Sequence, residues 1–506
     1  MSFYSSTTIE DFVKHSEEII KKAHKKELES VEPTLDKRWE IINTVKDFII
    51  NKKRKLYGGF GLNKLIQMKN MKDAFYDDED VDKWDLDFYS PDPINDAMEI
   101  ANLLHKKKFK LIRAAEAQHE ETYTVYVEGI KCADASYVPR NVYNKIPFND
   151  VKGLIIAGPH FMMIDYFRVL TDPLTSYFRL EKTFQRLLLM TKYYPLPKVK
   201  DTNVAIVSPD KELDIAFRTV NNFLKNKETT VAVGMYAYNH LIKECKTDKV
   251  KYSDVNYYEV VSTFYKKDVK DLIFALYDKF PMAKSKITYK EFYPFFQYFG
   301  FRTQIYYDET LICVVYHHNM RCTPYNKVLG HYFTKKSFEE EKKDKINIGS
   351  FSMIALYNLI NVMMARTNND DITKDLYYKL LSNMIDMQEY NITKNNKTIF
   401  DDGLFKEFVV DCIGSTISVK MAQQQKYEKR KKAGHMISWN YNPEIAKDKD
   451  VNTFFFKNSS GNIINNQKNM KIDLTAVFSE YSELDDSSDL VEIKGEDAGE
   501  ENKKKI

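Results

Sequence analysis

Two aspartates, Asp85 and Asp87, stand two residues apart in the run WDLDFYS, whose strict apolar–polar alternation is that of a half-buried β-strand. Side chains at i and i+2 of a strand project from one face, so the two carboxylates lie a few ångströms apart. Like charges held that close repel unless a cation lies between them, and hard oxygen donors at this spacing suit Mg²⁺ or Mn²⁺. Acids are disfavoured inside a strand, yet this pair lies between Trp84 and Phe88. The blander arrangement turns one aspartate to solvent at a sheet edge. A third carboxylate, Asp134 in IKCADASYV, sits on a later strand-like run that could lie beside the first.

Upstream, KLYGGFGLNKLIQM reads as a strand ending at Tyr57, a turn at Gly58-Gly59 and a helix from about Phe60. Missing side chains at a strand-to-helix turn let backbone N–H groups and the helix N-terminus approach a triphosphate. Taken alone, such a turn is more often a packing solution. Its value comes from the acidic pair on the next strand. No GxxxxGK[ST] exists in the chain, so this is not a P-loop. Three carboxylates plus a phosphate cradle make a two-metal nucleotidyl-transfer site.

The elements that must position these groups follow from periodicity. Residues 8–30 and 34–50 read as amphipathic helices, the second with Trp39, Ile42, Val45 and Ile49 at helical spacing. Asp92 and Pro93 supply an N-cap and a first-turn proline for the helix INDAMEIANLLHKK. Strand-like runs follow near FKLIRAAE, TYTVYVEG and IKCADASYV, so residues 34–150 form an α+β domain on a mixed sheet. The pattern then returns. TTVAVGMYAYNHLIKE aligns with RKLYGGFGLNKLIQM, matching Gly58 to Gly234, Asn63 to Asn239, Leu65 to Leu241 and Ile66 to Ile242. SDVNYYEV falls opposite WDLDFYSP, FRTQIYYDE and TLICVVYHH opposite the two later strands, and Gly349 opposite Gly158. We read this as an internal duplication. In the second copy Gly59 faces Met235, Asp85 faces Asp254, Asp87 faces Asn256 and Asp134 falls near Cys322, so the second copy is expected to be catalytically dead.

The expected domains are an N-terminal helical segment (1–33), a catalytic domain (34–195), a degenerate second copy with C-terminal helices (196–433), a loop-rich extension (434–479) and a disordered acidic tail (480–506). At 506 residues the chain is too long for one core. Hydrophobic residues at 43% and charged residues at 29% exclude wholesale disorder. No apolar run approaches the roughly 20 residues of a membrane span, and no signal-peptide core opens the chain. Five cysteines without a CxxC pair indicate neither a disulfide framework nor a structural zinc site. Residues 480–506 carry ten acids and four lysines, which leaves a basic body at +9 out of a total of +3. A basic body suits a polyanion partner, although a solvated tail beside an ordinary basic surface explains the balance equally well.

An apolar residue, Gly-Gly, DxD and a third strand aspartate together resemble the pattern of DNA polymerase β-like nucleotidyltransferases. KRWEIINTVKDFIINKKRKLYGGFGLNKLI, DLDFYSPDP and YVEGIKCADASYVP are similar to the catalytic subunits of poly(A) polymerases of large nucleocytoplasmic DNA viruses, over about residues 34–190. The resemblance implies a polymerase β-like fold, ATP as substrate, an RNA 3′ end as primer, no DNA template, and Mg²⁺ or Mn²⁺ as cofactor. Gly58 and Gly59 would hold the triphosphate, and Asp85, Asp87 and Asp134 the metals. A long insertion between Gly59 and Asp85 departs from the family pattern. The host cytoplasm, in a viral factory, or packaging in the virion is the implied location.

Arg179, Lys182 and Arg186 fall on one helical face after the catalytic domain. Polymerases of this shape bracket the triphosphate from a following helical domain, which assigns Lys182, with Arg179, to the nucleotide. A solvated basic face accounts for the same spacing. RNA is expected along the basic runs at 52–55, 105–110 and 426–432, and a homodimer through the aromatic run FFF at 454–456. Two other enzyme classes and one scaffold compete with this reading: an RNA-tailing enzyme with another NTP preference, a DxD glycosyltransferase, and a non-catalytic RNA-binding scaffold.

Overall fold

The computed structural model describes residues 3–77, 80–81, 84–117, 121–199, 211–296, 300–318, 321–333, 338–432 and 438–445. The expected acidic tail and the aromatic run at 454–456 lie outside the described residues. Two compact units divide the chain, one built on residues 1–158 with the segment from Lys426, the other on 159–425.

The first unit contains α1 (Ser6–Ser30), α2 (Leu35–Asn51), β1 (Lys55–Leu56), α3 (Gly58–Lys69), β2 (Leu86–Ser90) and α4 (Pro93–Lys106). It continues through β3 (Arg113–Glu116), β4 (Thr122–Val127), β5 (Ile130–Tyr137), α5 (Arg140–Lys145), β6 (Phe148–Val151) and β7 (Leu154–Ala157). The stripe read in α2 is its core face: Ile41, Ile42, Val45, Phe48 and Ile49 are buried, while Trp39 packs edge-on against Trp84 at 5.5 Å. Asp92 does occupy the N-cap position of α4, but its carboxylate accepts from the Asn95 side-chain amide at 2.7 Å rather than capping the helix.

The second unit contains α6 (Pro159–Leu170), α7 (Leu180–Tyr193), α8 (Lys211–Leu224), β8 (Thr230–Val233), α9 (Gly234–Cys245), β9 (Tyr258–Ser262) and α10 (Tyr265–Lys279). Next come β10 (Ile287–Phe292), β11 (Arg302–Tyr307), β12 (Thr310–His317), β13 (Thr323–Phe333) and β14 (Phe338–Gly349). It closes with α11 (Phe351–Thr367), α12 (Asp371–Thr393) and β15 (Cys412–Ile413). Finally, α13 (Val419–Lys432) leads back to β16 (Asn440–Tyr441), which joins the first sheet.

Among the described residues each unit holds a mixed eight-stranded sheet, ordered β16-β3-β4-β5-β2-β1-β7-β6 in one and β10-β11-β12-β9-β8-β14-β13-β15 in the other. Seven strands correspond in the same spatial order, and the directions agree pair by pair. β1–β2 and β8–β9 are antiparallel, β1–β7 and β8–β14 parallel, β2–β5 and β9–β12 parallel. The duplication is therefore one of topology. Buried braces repeat as well: Ser90 and Arg54 hold Asp96 in the first unit, and Ser262 and Lys227 hold Asp268 in the second. Asn63 bonds the backbone of Phe75 and Tyr76 as Asn239 bonds that of Ser253.

These anchors correct the register expected for the second copy. Ser90 corresponds to Ser262, and a Cβ on Gly58 would strike Asp87 as one on Gly234 would strike Glu259. Asp87 therefore corresponds to Glu259 and Asp85 to Tyr257, not to Asn256 and Asp254. Across the parallel pairs, Asp87 faces Asp134 and Glu259 faces Val314, so the partner of Asp134 is Val314 rather than a residue near Cys322. The two acidic runs are similar in composition, and only the glycine contact and the serine–aspartate brace distinguish a slip of three residues.

A second correction concerns cysteine. Cys322 and Cys412 form a disulfide across 90 residues of sequence, beside the short β13–β15 pairing that brings them together. Their separation gave no local signal. Among the described residues no helix is long and apolar enough to cross a membrane.

Candidate active site

The site lies on one face of the first sheet. β1 ends and the chain passes through Tyr57, in extended conformation, straight into α3 at Gly58, which takes φ +69°. The two glycines are thus the first turn of the helix rather than a loop before it. Only glycine fits at 58: a Cβ there would stand 2.4 Å from Asp87 Oδ2. Gly61 lets the same helix lie against Leu56 and Ile156, where a Cβ would meet Ile156 at 3.3 Å. The N-terminal N–H groups of α3 are therefore brought directly against the acidic strand.

The alternation read in WDLDFYS holds: Trp84, Leu86 and Phe88 are buried while Asp85 and Asp87 share the other face. β2 runs parallel to β5 with Asp87 paired to Asp134, which sets all three carboxylates on neighbouring strands. Thr124 on β4, opposite Asp134, donates its hydroxyl to Asp134 Oδ1 at 2.5 Å. Asp87 is 82% shielded from solvent, and its Oδ1 accepts no hydrogen bond. Burial first, then the charge of Asp85, push the Asp87 carboxyl well above the usual carboxylate range, against the pull of Lys131.

Lys131 was not anticipated from the sequence. Its Nζ lies 2.7 Å from Asp85 Oδ2, 2.8 Å from Asp134 Oδ2 and 3.7 Å from Asp87 Oδ1, in the middle of the triad. Residues three apart on a regular strand point to opposite faces, so KCAD places Lys131 and Asp134 back to back. A β-bulge reverses this. The β4–β5 register jumps from Val125↔Ala133 to Tyr126↔Lys131, so Cys132 is the extra residue and Lys131 turns to the face of the aspartates. Burial opposes the ammonium charge, but the three carboxylates outweigh it and hold the Lys131 pKa above its ordinary value.

Tyr57 and Tyr89 stack at 4.0 Å beside this cluster, and the Tyr57 hydroxyl shares a 2.8 Å hydrogen bond with Ser136. Arg179 and Lys182 belong to the second unit, at the end of a short 3₁₀ turn and in the first turn of α7, and both are exposed. The basic runs fare differently from expectation. In 52–55, Lys52 pairs with Glu99, Arg54 is bidentate on Asp96, and Lys55 is buried with its ammonium on the carbonyls of Tyr143 and Ile146. In 426–432, Lys426 and Arg430 both bind Glu116. The run at 105–110 keeps five of its six residues exposed.

In the second unit the corresponding face has been filled in. The bulge survives, with Ile312 as the extra residue, but Leu311 replaces Lys131 and Val314 replaces Asp134. Glu259, 1% exposed, accepts hydrogen bonds from Tyr316, Asn361 and Tyr377. A buried carboxylate satisfied by three donors from the surrounding elements is a structural anchor.

The class follows from these facts: a nucleotidyltransferase whose fold occurs twice, with the three aspartates and the lysine together only in the first copy. Comparison with known proteins narrows it. Residues 43–176 match the family model for the poly(A) polymerase catalytic subunit, and residues 190–474 match the model for the C-terminal part of the APMV poly(A) polymerase catalytic subunit. A protein of Acanthamoeba polyphaga mimivirus described as a poly(A) polymerase catalytic subunit is 30% identical over 96% of this chain and 89% of its own length. One of African swine fever virus with the same description is 31% identical over 35% of this chain and 38% of its own. The crystal structure of the Megavirus polyadenylate synthase superimposes with a TM-score of 0.78 at 30% identity, covering 93% of this chain and 94% of that one. The chain belongs to the poly(A) polymerase catalytic subunit family.

Proposed function

We propose that this chain is a template-independent polynucleotide adenylyltransferase that transfers AMP from ATP to the 3′ end of RNA and releases pyrophosphate. One geometry carries the reading: the N-terminus of α3 meets Asp87 at a residue that cannot bear a side chain, while Asp85 and Asp134 both reach the Lys131 ammonium, 3.7 Å from Asp87. A phosphate held by α3 would then adjoin a cation held by the aspartates, as in-line displacement at a nucleotide phosphorus requires.

Three hard oxygen donors, one of them without a hydrogen-bond donor, fit Mg²⁺ or Mn²⁺, and a cationic side chain already drawn to the same point supports the fit. Asp85, Asp87 and Asp134 would hold the ions. Divalent cations held there would supply the charge that lowers the pKa of the RNA 3′-hydroxyl and stabilises departing pyrophosphate. The chain's own groups do the rest. N–H groups of Gly58, Gly59 and the first turn of α3 receive triphosphate oxygens. Thr124 fixes the Asp134 carboxylate, and the Ser90–Asp96–Arg54 brace fixes the end of β2. The role expected of Lys182 and Arg179 at the triphosphate is kept as a proposal: Lys182→Ala should raise KM for ATP.

The decisive experiment incubates the purified chain with a labelled oligoribonucleotide, Mg²⁺ or Mn²⁺, and each NTP separately. Long tails with ATP alone are expected. Equal extension with other NTPs would redefine it as a different tailing enzyme, and no extension would leave the scaffold reading.

Self-association is also proposed, on a surface other than the one first expected. Helix α1 leaves Ile9, Phe12, Val13, Ile19 and Ile20 exposed in one stripe. Phe12 and Ile20, and Val13 and Ile19, mirror each other about Ser16, and so do the charges: in an antiparallel pair Glu10 meets Lys22, Asp11 meets Lys21 and Lys14 meets Glu18 of the second copy. Light scattering tests it. Glu10→Lys should weaken the dimer and Glu10→Lys with Lys22→Glu restore it.

A further inference from the structure

The chemistry of the aspartate triad is conventional for its fold, but the lysine at its centre is a separate feature of this chain. We propose that Lys131 is the resident counter-cation of the triad: its ammonium occupies the position that the divalent cations need, and must leave when they load. Lys131 then acts as a positioning residue that keeps the metal-free site assembled and sets its metal affinity. The proposal rests on the assignment of Asp85, Asp87 and Asp134 as metal ligands.

Three observations support it. The first is place. Nζ is within 2.8 Å of oxygens from two of the carboxylates and 3.7 Å from the third, closer than any hydrated ion pair. An ammonium and a metal ion cannot share that volume. Among the described residues no three acidic, imidazole or thiol groups are placed to hold a metal ion as they stand, and Asp85 and Asp134 both have oxygens on the Lys131 ammonium. The second is freedom to move. The Lys131 side chain is 35% exposed, on a strand that opens to solvent at this point, so its flexible four-carbon stem has a way out. One positive charge against three negative ones leaves the cluster anionic, and a divalent ion competes on favourable terms.

The third is the bulge. The bulge at Cys132 turns Lys131 to the face of the aspartates, and the second unit retains the bulge with Leu311 in the place of the lysine. There the lysine and two of the three aspartates have gone together, replaced by Leu311, Tyr257 and Val314, and the surviving Glu259 is satisfied by neutral donors. A lysine with a purely local structural role would not have to disappear with the acids it faces.

The test measures metal binding, not tailing. Mn²⁺ is titrated into the full chain without nucleotide or RNA, with free Mn²⁺ read by electron paramagnetic resonance, and thermal midpoints are recorded with and without Mn²⁺. Lys131→Met should bind Mn²⁺ at least tenfold more tightly than wild type, melt lower without metal, and gain more from added Mn²⁺; Lys131→Arg should stay near wild type. If Lys131→Met is too unstable to titrate without metal, Lys131→Met with Asp85→Asn removes one charge of each sign and should recover the metal-free midpoint. Unchanged Mn²⁺ affinity and unchanged midpoint in a folded Lys131→Met protein would overturn the proposal, as would a double variant no more stable than the single one. A control separates this from the site assignment: Asp85→Asn, Asp87→Asn and Asp134→Asn combined must lose Mn²⁺ binding. If that triple variant binds as wild type, the metal site itself is wrong; if it loses binding while Lys131→Met is unaffected, only the role of Lys131 falls.

Discussion

Replacing Gly58 with alanine adds one methyl group and should cost both stability and rate, for separable reasons. The backbone at 58 sits at φ +69°, where an L-side chain costs about 1–2 kcal/mol. The new Cβ would lie 2.4 Å from Asp87 Oδ2 and 3.3 Å from both Asp87 Cβ and Cγ. Ordinary contact needs about 3.5 Å. The carboxylate oxygen must therefore retreat by roughly 1 Å, either by an off-rotamer turn of Asp87 costing about 0.5–1.5 kcal/mol or by lifting the start of α3. The expected destabilisation of the first unit is about 2–3 kcal/mol. A displacement of about 1 Å in a group that positions reactants lowers turnover by about 10²-fold. Gly234→Ala is the matched control, because its Cβ would stand 1.8 Å from Glu259 Oε2 at φ +62°. It should destabilise the second unit at least as much, yet leave tailing per folded molecule unchanged. The assay pairs urea unfolding, followed by fluorescence, with single-turnover extension of a labelled oligoribonucleotide normalised to folded protein. A Gly58→Ala enzyme with wild-type turnover would refute the cradle, and a Gly234→Ala enzyme with impaired turnover would refute the assignment of the second copy as structural.

Asp85→Asn, Asp87→Asn and Asp134→Asn should each lower tailing by about 10²–10³-fold or more with folding intact, and Asp254→Ala should change nothing; normal elongation by the Asp87 variant would remove the site. Burial holds the Lys55 ammonium down to about 8. Between about 8 and the ordinary lysine value of about 10.4 the folded chain binds fewer protons than the unfolded one, so first-unit stability should rise with pH across that window. Lys55→Met should flatten that rise, seen as urea midpoints that no longer climb; an unchanged climb would place the effect elsewhere. RNA affinity should fall steeply with salt, and neutralising Lys106, Lys108 and Lys110 should reduce the slope by roughly one for each phosphate left without its lysine, whereas Lys55→Met should leave it alone. Filter binding from low to physiological salt checks this, and an unaltered slope in the triple variant would put the RNA path on another surface.

Much of the site could be read in one dimension, because its signals are local. Alternation in WDLDFYS puts Asp85 and Asp87 on one face whatever surrounds them, and a glycine pair between strand and helix marks a place where backbone must approach something closely. The duplication was legible for the same reason, since strand–helix order and spacing survive divergence. What the tertiary structure alone decided depends on pairing between distant strands. The register of the second copy rests on which carboxylate touches Gly234, and a run of similar acids gives no hint that Glu259 rather than Asn256 does so. The basic run at 52–55 looks like a phosphate track until Glu99, Asp96 and two carbonyls near α5 take Lys52, Arg54 and Lys55. Cys322 and Cys412 meet only through β13 and β15. Lys131 is the sharpest case, because strand periodicity assigns it to the wrong face. One extra residue opposite β4 reverses that assignment, and a bulge is a property of two paired strands, which neither strand's sequence contains by itself.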